Sequence, residues 1–444
     1  MFALADGNNF FVSAERTMSP RLVGRPVVVL SSNDGACIAR SNEAKDLGVA
    51  MAAPWFTVKH LEKTAGLIAV SANFELYADM SARMMAIEAR YAPRQSIYSI
   101  DESFLDFTGI RDDLVAIGRD MRATILKETG LPTSIGYGAT KTLAKLANHI
   151  CKTADRKPGS YPSDLAQVCN LGALPQDEVD RLFAATDVSS VWGVGKRISE
   201  KLRAGGINTV LDLVRMDTAT LRAQFSVTLE KTLLELRGTS CLELDEVPGP
   251  RQQILVSRSF GTAITDVEGI VEAVSEFTSR AAERLRQQGS TAGELGIFFT
   301  TSPFRSNDRQ HAVNVSTPLI RPTADSAVLV GAATAMVRAQ FRRGFRYAKA
   351  GAILNDLRAV GQEQRELDLF AVDDGEATKA ASGRARLMVA MDALNNRFGR
   401  DSVRLGSTAA VSNGAERPIW ATRQELRSPR YTTRWDEMPV VLAK

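Results

Sequence analysis

Cysteine and histidine are scarce in this 444-residue chain, at four and three copies. Cys37, Cys151, Cys169 and Cys241 lie far apart, without a CxxC or a Cys/His cluster. That spacing excludes a disulfide framework and an ordinary zinc site. His60, His149 and His311 are isolated, so imidazole-based catalysis has little material. No apolar run approaches the roughly 18 residues needed to cross a bilayer. The opening MFALADGNNFF has no basic region and places Asp6 inside its apolar stretch, so no signal peptide is expected and the chain is expected in the cytoplasm. There is no Walker A motif, which argues against a P-loop NTPase. Internal repeats and long low-complexity tracts are also lacking. With 44% hydrophobic and 24% charged residues, wholesale disorder is excluded. The length allows roughly two to four domains.

Charge is nearly balanced, at +4 overall, and decides little by itself. Its distribution says more. Residues 251–350 hold 13 basic against 8 acidic side chains, and Arg338, Arg342, Arg343, Arg346 and Lys349 form a stripe. Such a stripe suits a polyanion, although a solvated helix face accounts for the charge more simply.

The apolar run at residues 2–5 stops at Asp6 and predicts a buried strand ending in a carboxylate. Residues 27–30, VVVL, predict a second buried strand, followed by the turn signal SSNDG. A strand end running into a short helix is expected over 36–47, and a helix over 80–90. Residues 95–107 predict a strand or hairpin from their β-branched and aromatic content. A helix over 115–129 and a strand over 133–138 follow. Residues 141–152 predict a strongly amphipathic helix, with Leu143, Leu146, Ala147 and Ile150 at i, i+3, i+4 and i+7. The first 165 residues are thus α/β or α+β, 166–240 almost wholly helical, and 250–355 a separate α+β module beyond a Pro248-Gly249-Pro250 linker. After about 361 the chain is loop-like and acidic, helical at 384–397, then loop-like again.

Acids inside apolar strands are costly unless paired or bound to a metal. Asp6 and the adjacent Asp101-Glu102 are such acids, and carboxylates brought together from two strands suit Mg²⁺ and substrate phosphates. Neighbouring strand residues point to opposite faces, so Asp101 and Glu102 share one site only if the backbone turns there. Strand-end solvation is the simpler alternative. Asp106 is expected to be structural. A second group is basic: Arg40 and Lys45 in IARSNEAK, and Lys141, Lys145 and Lys152, expected near one helix face, where they would suit a triphosphate. A solvated lysine face is the alternative. Third, VWGVGKR at 191–197 between helical stretches has the form of a helix-hairpin-helix. Its turn would offer backbone N–H groups, with Lys196 and Arg197, to a DNA phosphate. Last, QRELDLF at 364–370 is an apolar cluster in a polar stretch, suited to docking in a partner's pocket or back onto its own domain.

In this order, MFALADGN, VVVLSSNDGACIAR, NFELYADMS, SIYSIDESFLDFTG, TKTLAKLANH, VWGVGKRISEKL, LELRGTSCLEL and the tail SPRYTTR resemble the Y-family (translesion) DNA polymerases over nearly the whole chain. The tail resembles the SOS-mutagenesis branch rather than the polymerase IV branch. The resemblance implies an α+β multidomain right-hand polymerase. Its palm would be 1–20 and 75–165, its small fingers 21–74, and its helical thumb 166–240. A little-finger domain at 245–355 and a C-terminal tail at 356–444 complete it. It further implies that Asp6, Asp101 and Glu102, with the Gly7 carbonyl, bind two Mg²⁺ ions. Asn42, Lys45 and Lys152 would lie near the incoming dNTP, and Phe11 would be the steric gate against ribonucleotides. The gate is commonly Tyr in this branch, other branches often have Tyr at the Asn42 position, and the clamp peptide usually has Gln where Glu366 stands.

The function expected is error-prone translesion synthesis, with the primer 3′-OH attacking the dNTP α-phosphate and releasing pyrophosphate. Gly35, Ala36 and Ala39 would form a small roof over the nascent pair, giving weak shape selection. Implied partners are primer–template DNA, a UmuD-like dimer, RecA and a sliding clamp bound through Leu367, Leu369 and Phe370. Location is expected to be the bacterial cytoplasm, at the nucleoid when active. Two alternatives are a non-catalytic DNA-binding scaffold and another two-metal enzyme on a similar palm. The intact acidic trio argues against the first, and the hairpin with an added basic domain against the second.

Overall fold

The computed structural model describes residues 1–244, 249–305, 307–360, 375–399, 401–406, 418 and 420–440, with the backbone alone for 375–382. The chain divides into two units, 1–247 with 425–444 and 248–424.

In the first unit the apolar opening is β1 (Phe2–Gly7), and α1 (Phe10–Met18) follows it. Next come β2 (Val27–Leu30), β3 (Cys37–Arg40), α2 (Asn42–Asp46), α3 (Trp55–Val58), α4 (Leu61–Ala65) and β4 (Ile68–Ser71). These strands form a three-stranded sheet, β3-β2-β4, with β2 antiparallel to β3 and parallel to β4. VVVL is buried on both faces, as a short uninterrupted apolar run requires. A small core of Val28, Leu30, Cys37, Ala44, Val49, Trp55 and Leu67 holds one side.

The chain then runs through α5 (Phe74–Glu88), β5 (Arg94–Ile97), β6 (Glu102–Asp106), α6 (Leu114–Thr129), β7 (Thr133–Gly138), α7 (Lys141–Arg156) and β8 (Val168–Asn170). β5 and β6 are the expected hairpin. The five-stranded sheet has the order β5-β6-β1-β7-β8, antiparallel except for the β7–β8 pair. β8 is a departure from the helical reading of 166–240: Val168, Cys169 and Asn170 pair with Ile135, Gly136 and Tyr137. Three residues are too few to show a period of two.

Alternation along β1 sorts the two faces. Ala3 and Ala5 enter a large core with Met80 and Met84 of α5 and Met121 and Ile125 of α6. Leu4 turns the other way, to Phe104 of β6 and Ala144 of α7. Asp6 shares that second face by parity. α7 lies very close to β7 because β7 carries glycine. A Cβ at Gly136 would stand 2.1 Å from the Asn148 backbone nitrogen, so no larger residue fits. Leu143, Leu146, Ala147 and Ile150 are buried, as their spacing predicts.

α8 (Gln176–Ala185), α9 (Lys196–Ala204), α10 (Val210–Arg215), α11 (Thr218–Gln224) and α12 (Val227–Leu236) pack around Leu182, Phe183, Leu202, Leu213, Leu229 and Leu233. The turn before α9 buries Val191 and Val194 and exposes Lys196 and Arg197. Gly193 has φ +89°, in the left-handed region, and Gly195 sits at the helix N-cap. This is the geometry expected of a helix-hairpin-helix turn.

The second unit is a four-stranded antiparallel sheet, β11-β10-β12-β9, built from β9 (Ile254–Ile264), β10 (Ser290–Thr301), β11 (Ala312–Thr323) and β12 (Tyr347–Ala359). α13 (Val267–Gln287) and α14 (Ser326–Gln340) bury Ile270, Phe277, Leu285, Leu329 and Val337 with the sheet. α15 (Gly375–Phe398) belongs to this unit, with Arg286 bound to Asp392 at 2.7 Å. Part of the basic stripe is already engaged. Arg338 pairs with Glu268 at 2.7 Å, and Arg346 lies 3.5 Å from Asp308. Among the described residues no helix is long and apolar enough to cross a membrane. The expected clamp peptide, with Leu367, Leu369 and Phe370, lies outside the described residues.

The chain returns to the first unit at Glu425. Arg427 there bridges in parallel to Ser71, at the end of β4.

Candidate active site

The acidic trio is assembled by strand register. Asp6 is the cross-strand partner of Glu102, so both side chains rise on the α7 face. The chain bends at 99–101, directly before β6. The Ser99 hydroxyl holds that bend: it accepts from the backbone N–H of Asp101 and Glu102, at 3.2 and 3.1 Å, and donates to Asp101 Oδ1 at 2.6 Å. The Gly7 N–H donates to the Asp101 carbonyl at 2.8 Å, which ties the bend to the end of β1. The turn required to bring two adjacent acids to one site is therefore present.

α7 lays lysines over these acids. Lys152 lies 2.5 Å from Asp6 Oδ1, and Lys145 donates to both Glu102 oxygens at 2.8 and 2.9 Å. Burial pushes the Asp6 carboxyl well above the usual carboxylate range; Lys152 pulls it down, while Glu102 and Asp101 push it further up. A buried carboxylate repelled by two neighbouring acids calls for positive charge beside it. Among the described residues no three acidic, His or Cys side chains are closed around an ion position, because Asp6 and Glu102 each turn to a lysine. The side-chain donors are all carboxylates, the hard-oxygen chemistry that suits Mg²⁺. Lys141 does not join its two neighbours. It is buried and donates to the Glu243 carbonyl. It shares their side of the helix, one turn from Lys145, but its ammonium is held by that carbonyl and over the Phe104 ring, 5.2 Å from its centroid. Asp106 has the structural role expected: it accepts from the Thr108 N–H at 2.8 Å.

A second set of cations includes Lys45 of α2, which binds Asn9. Asn9 ends the β1 turn in the left-handed region, with φ +49°. Its Oδ1 accepts from Lys45 Nζ at 2.5 Å, and its Nδ2 donates to Asn42 Oδ1 at 3.1 Å. Burial, then the charges of Arg156, Arg40 and Lys152, lower the Lys45 ammonium to about 8. Four cations thus lie in electrostatic reach of one another, with Lys152 and Arg156 each already paired with an acid. Arg156 is four residues beyond Lys152 and binds Asp46 at 3.0 Å. Asn9 and Arg156 were not singled out from the sequence, although the NN turn after Gly7 and the i, i+4 spacing on α7 signal them.

Phe11 is half-buried on α1. Its ring stacks on Tyr77 at 4.4 Å and 15°, and meets Phe74 edge-on at 6.0 Å. Of the expected roof, Gly35 is exposed and Ala36 half-buried, but Ala39 is buried in the core below and is not part of an exposed surface. Glu88, which the sequence did not mark, is fully buried beneath the sheet; burial pushes its carboxyl to about 7, and Ser103 and Gln95 donate to it.

Residues 5–149 match the family model described as the impB/mucB/samB family, and residues 251–369 match that family's C-terminal domain. Residues 385–441 match a domain of unknown function, DUF4113. Protein UmuC of Salmonella typhimurium is 43% identical over 440 residues, 99% of each chain. Protein MucB of Escherichia coli is 37% identical over 446 residues, all of both chains. A solved Y-family DNA polymerase chimera of Dbh and Dpo4 covers 81% of this chain and 100% of its own, with a TM-score of 0.61 at 18% identity, a likeness of fold. The chain belongs to the impB/mucB/samB family of Y-family DNA polymerases. It is a UmuC-like catalytic subunit, a DNA-directed DNA polymerase of error-prone translesion synthesis. The scaffold and other two-metal readings are not favoured by these relationships. Membership of the family also suggests use of a divalent metal.

Proposed function

We propose that Asp6, Asp101 and Glu102, with the Gly7 carbonyl, hold two Mg²⁺ ions at the centre of this polymerase. The observation that carries the reading is the register pairing of Asp6 with Glu102 beneath Lys145 and Lys152 of α7. When bound, the ions supply the charge that lowers the pKa of the primer 3′-OH and stabilises the departing pyrophosphate. Lys145 and Lys152 are the counter-charges that release the carboxylates for that role. Lys45 and Lys152, with Asn42 set through Asn9, face the triphosphate of the incoming dNTP. Phe11 stands against the sugar and excludes a 2′-OH by bulk.

In this reading residues 1–20 and 75–165 are the palm, 21–74 the fingers, 166–240 the thumb, 245–355 the little finger and 356–444 the C-terminal tail. The sheet that carries the acids extends past 165 through β8. The protein works on primer–template DNA in the bacterial cytoplasm. A UmuD-like dimer, RecA and a sliding clamp, docked by Leu367, Leu369 and Phe370, complete the proposed assembly.

Two measurements test the substrate assignments. Lys45→Ala is expected to raise KM for dNTP by about tenfold, the equivalent of one charge-assisted hydrogen bond. Its Kd for primer–template should stay unchanged. An unchanged KM would place the triphosphate elsewhere. Replacing Lys196 and Arg197 together by Ala should weaken binding to all DNA sequences alike. The slope of log Kd against log salt should flatten by at most about 0.9 for each phosphate that the two side chains neutralise. A sequence-dependent loss, or the same slope, would contradict a phosphate-positioning role for the hairpin.

A further inference from the structure

The segment that re-enters the first unit at Glu425 is pinned polar group by polar group. The Glu425 N–H donates to Asp34 Oδ2 at 3.0 Å, and Ser71 donates to Asp34 Oδ1 at 2.6 Å. Ser71 and Leu426 exchange two further hydrogen bonds: the Ser71 N–H donates to the Leu426 carbonyl, and the Leu426 N–H to Ser71 Oγ, both at 3.0 Å. Arg427 donates to Glu75 at 2.8 Å and to Asn73 Oδ1 at 3.2 Å. Asn73, fully buried, donates in turn to Ser428 Oγ and the Pro429 carbonyl, each at 3.0 Å.

This network ends under the Phe11 ring. Ser428 Oγ donates to Glu15 Oε1 at 3.1 Å, and the Tyr77 hydroxyl donates to the same oxygen at 2.7 Å. Glu15 is 1% exposed and Tyr77 is 0% exposed, and Tyr77 is the ring on which Phe11 stacks. Glu15 lies on α1, four residues after Phe11. Asn73 caps α5, the helix that carries Phe74 and Tyr77. The segment therefore ties together the two helices whose aromatic side chains surround Phe11. Burial pushes the Glu15 carboxyl up, and Tyr77, Ser428 and Arg427 bring it back down. Two of those three partners come from the C-terminal segment.

A steric gate depends steeply on position, because a displacement of about 1 Å changes a contact at the reacting centre by orders of magnitude in rate. We propose that the C-terminal segment 425–431 is a positioning element of the sugar gate: Ser428 and Arg427, acting through Glu15, Asn73 and Tyr77, fix the height of the Phe11 ring and so set the discrimination between deoxyribonucleotides and ribonucleotides. The proposal rests on the reading of Phe11 as the gate. It gives the last part of the region of unknown function a role in substrate selection.

The test compares kcat/KM for matched dNTP and rNTP insertion by the full chain and four variants. Arg427→Ala with Ser428→Ala should raise the relative efficiency of rNTP insertion roughly three- to tenfold, the equivalent of one hydrogen bond removed. Its dNTP insertion should stay within about twofold of wild type, and a larger loss of dNTP insertion with an unmoved ratio overturns the proposal. Ser428→Ala alone should give a smaller rise in the same direction, and covers the case in which the double variant does not fold. Ser428→Thr, which keeps the hydroxyl, should restore the wild-type ratio. Phe11→Ala serves as the reference. If it raises rNTP use while the tail variants leave the ratio at wild type, the tail is a passive anchor and the inference is wrong. If Phe11→Ala itself leaves the ratio unchanged, the gate reading fails, and this inference with it.

Discussion

Asp101→Ala and Glu102→Ala are each expected to lower the rate of primer extension by at least about a thousandfold, a loss near 4 kcal/mol in activation free energy. The reason is the division of labour between two parts of the molecule. In the proposed reading, nucleotidyl transfer rests on charge placed at the end of β1, where Asp6 and Glu102 are register partners. In the same reading, DNA affinity rests on phosphate contacts elsewhere, with the exposed Lys196 and Arg197 among them. Both variants should therefore bind primer–template with nearly wild-type affinity. They should also stay folded. Lys145, left without Glu102, still lies over the rings of Tyr98 and Trp192, at 4.5 and 5.6 Å. Thermal unfolding and DNA-binding anisotropy, run beside extension, separate the effects. Near-normal extension by either variant would remove that carboxylate from the site.

The second large effect is at Phe11. Phe11→Ala should raise rNTP insertion relative to dNTP insertion by about tenfold or more, since a pocket that rejects by bulk alone loses its discrimination with the bulk. The Phe11 ring is only half-buried and rests on Tyr77, whose own hydroxyl is held by Glu15. Removing it leaves that support intact, so the change should fall on sugar selection more than on folding. Extension reactions with each nucleotide type measure the ratio. An unchanged ratio would make Phe11 a packing residue.

What could be read from the sequence was whatever local pattern encodes. VVVL, the leucine spacing of α7 and the apolar run of β6 all declare their burial within a dozen residues. The acid at the end of the first apolar run stood out because an unpaired carboxylate in such a run is costly. What could not be read depended on partners far along the chain. Whether Asp101 and Glu102 share a face is decided by the Ser99 bend, and the pairing with Asp6 by a register that neither strand specifies alone. β8 is too short to show a period. Lys141 has the helical spacing of Lys145 and Lys152 but is held by the carbonyl of Glu243, about a hundred residues along the chain. The contacts of Ser428 and Pro429 with Asn73 join residues about 355 positions apart, and polar side chains in a loop-like tail carry no pattern that points to such partners.

The most direct test of the central claim is extension of a primer across a template abasic site by the full-length protein. The reaction supplies Mg²⁺, dNTPs, the UmuD-like dimer, RecA and the clamp. The account predicts products that extend beyond the lesion, and none when Glu102→Ala replaces the wild type. Extension that stops one nucleotide before the lesion with the wild type, or bypass that persists in Glu102→Ala, would contradict it.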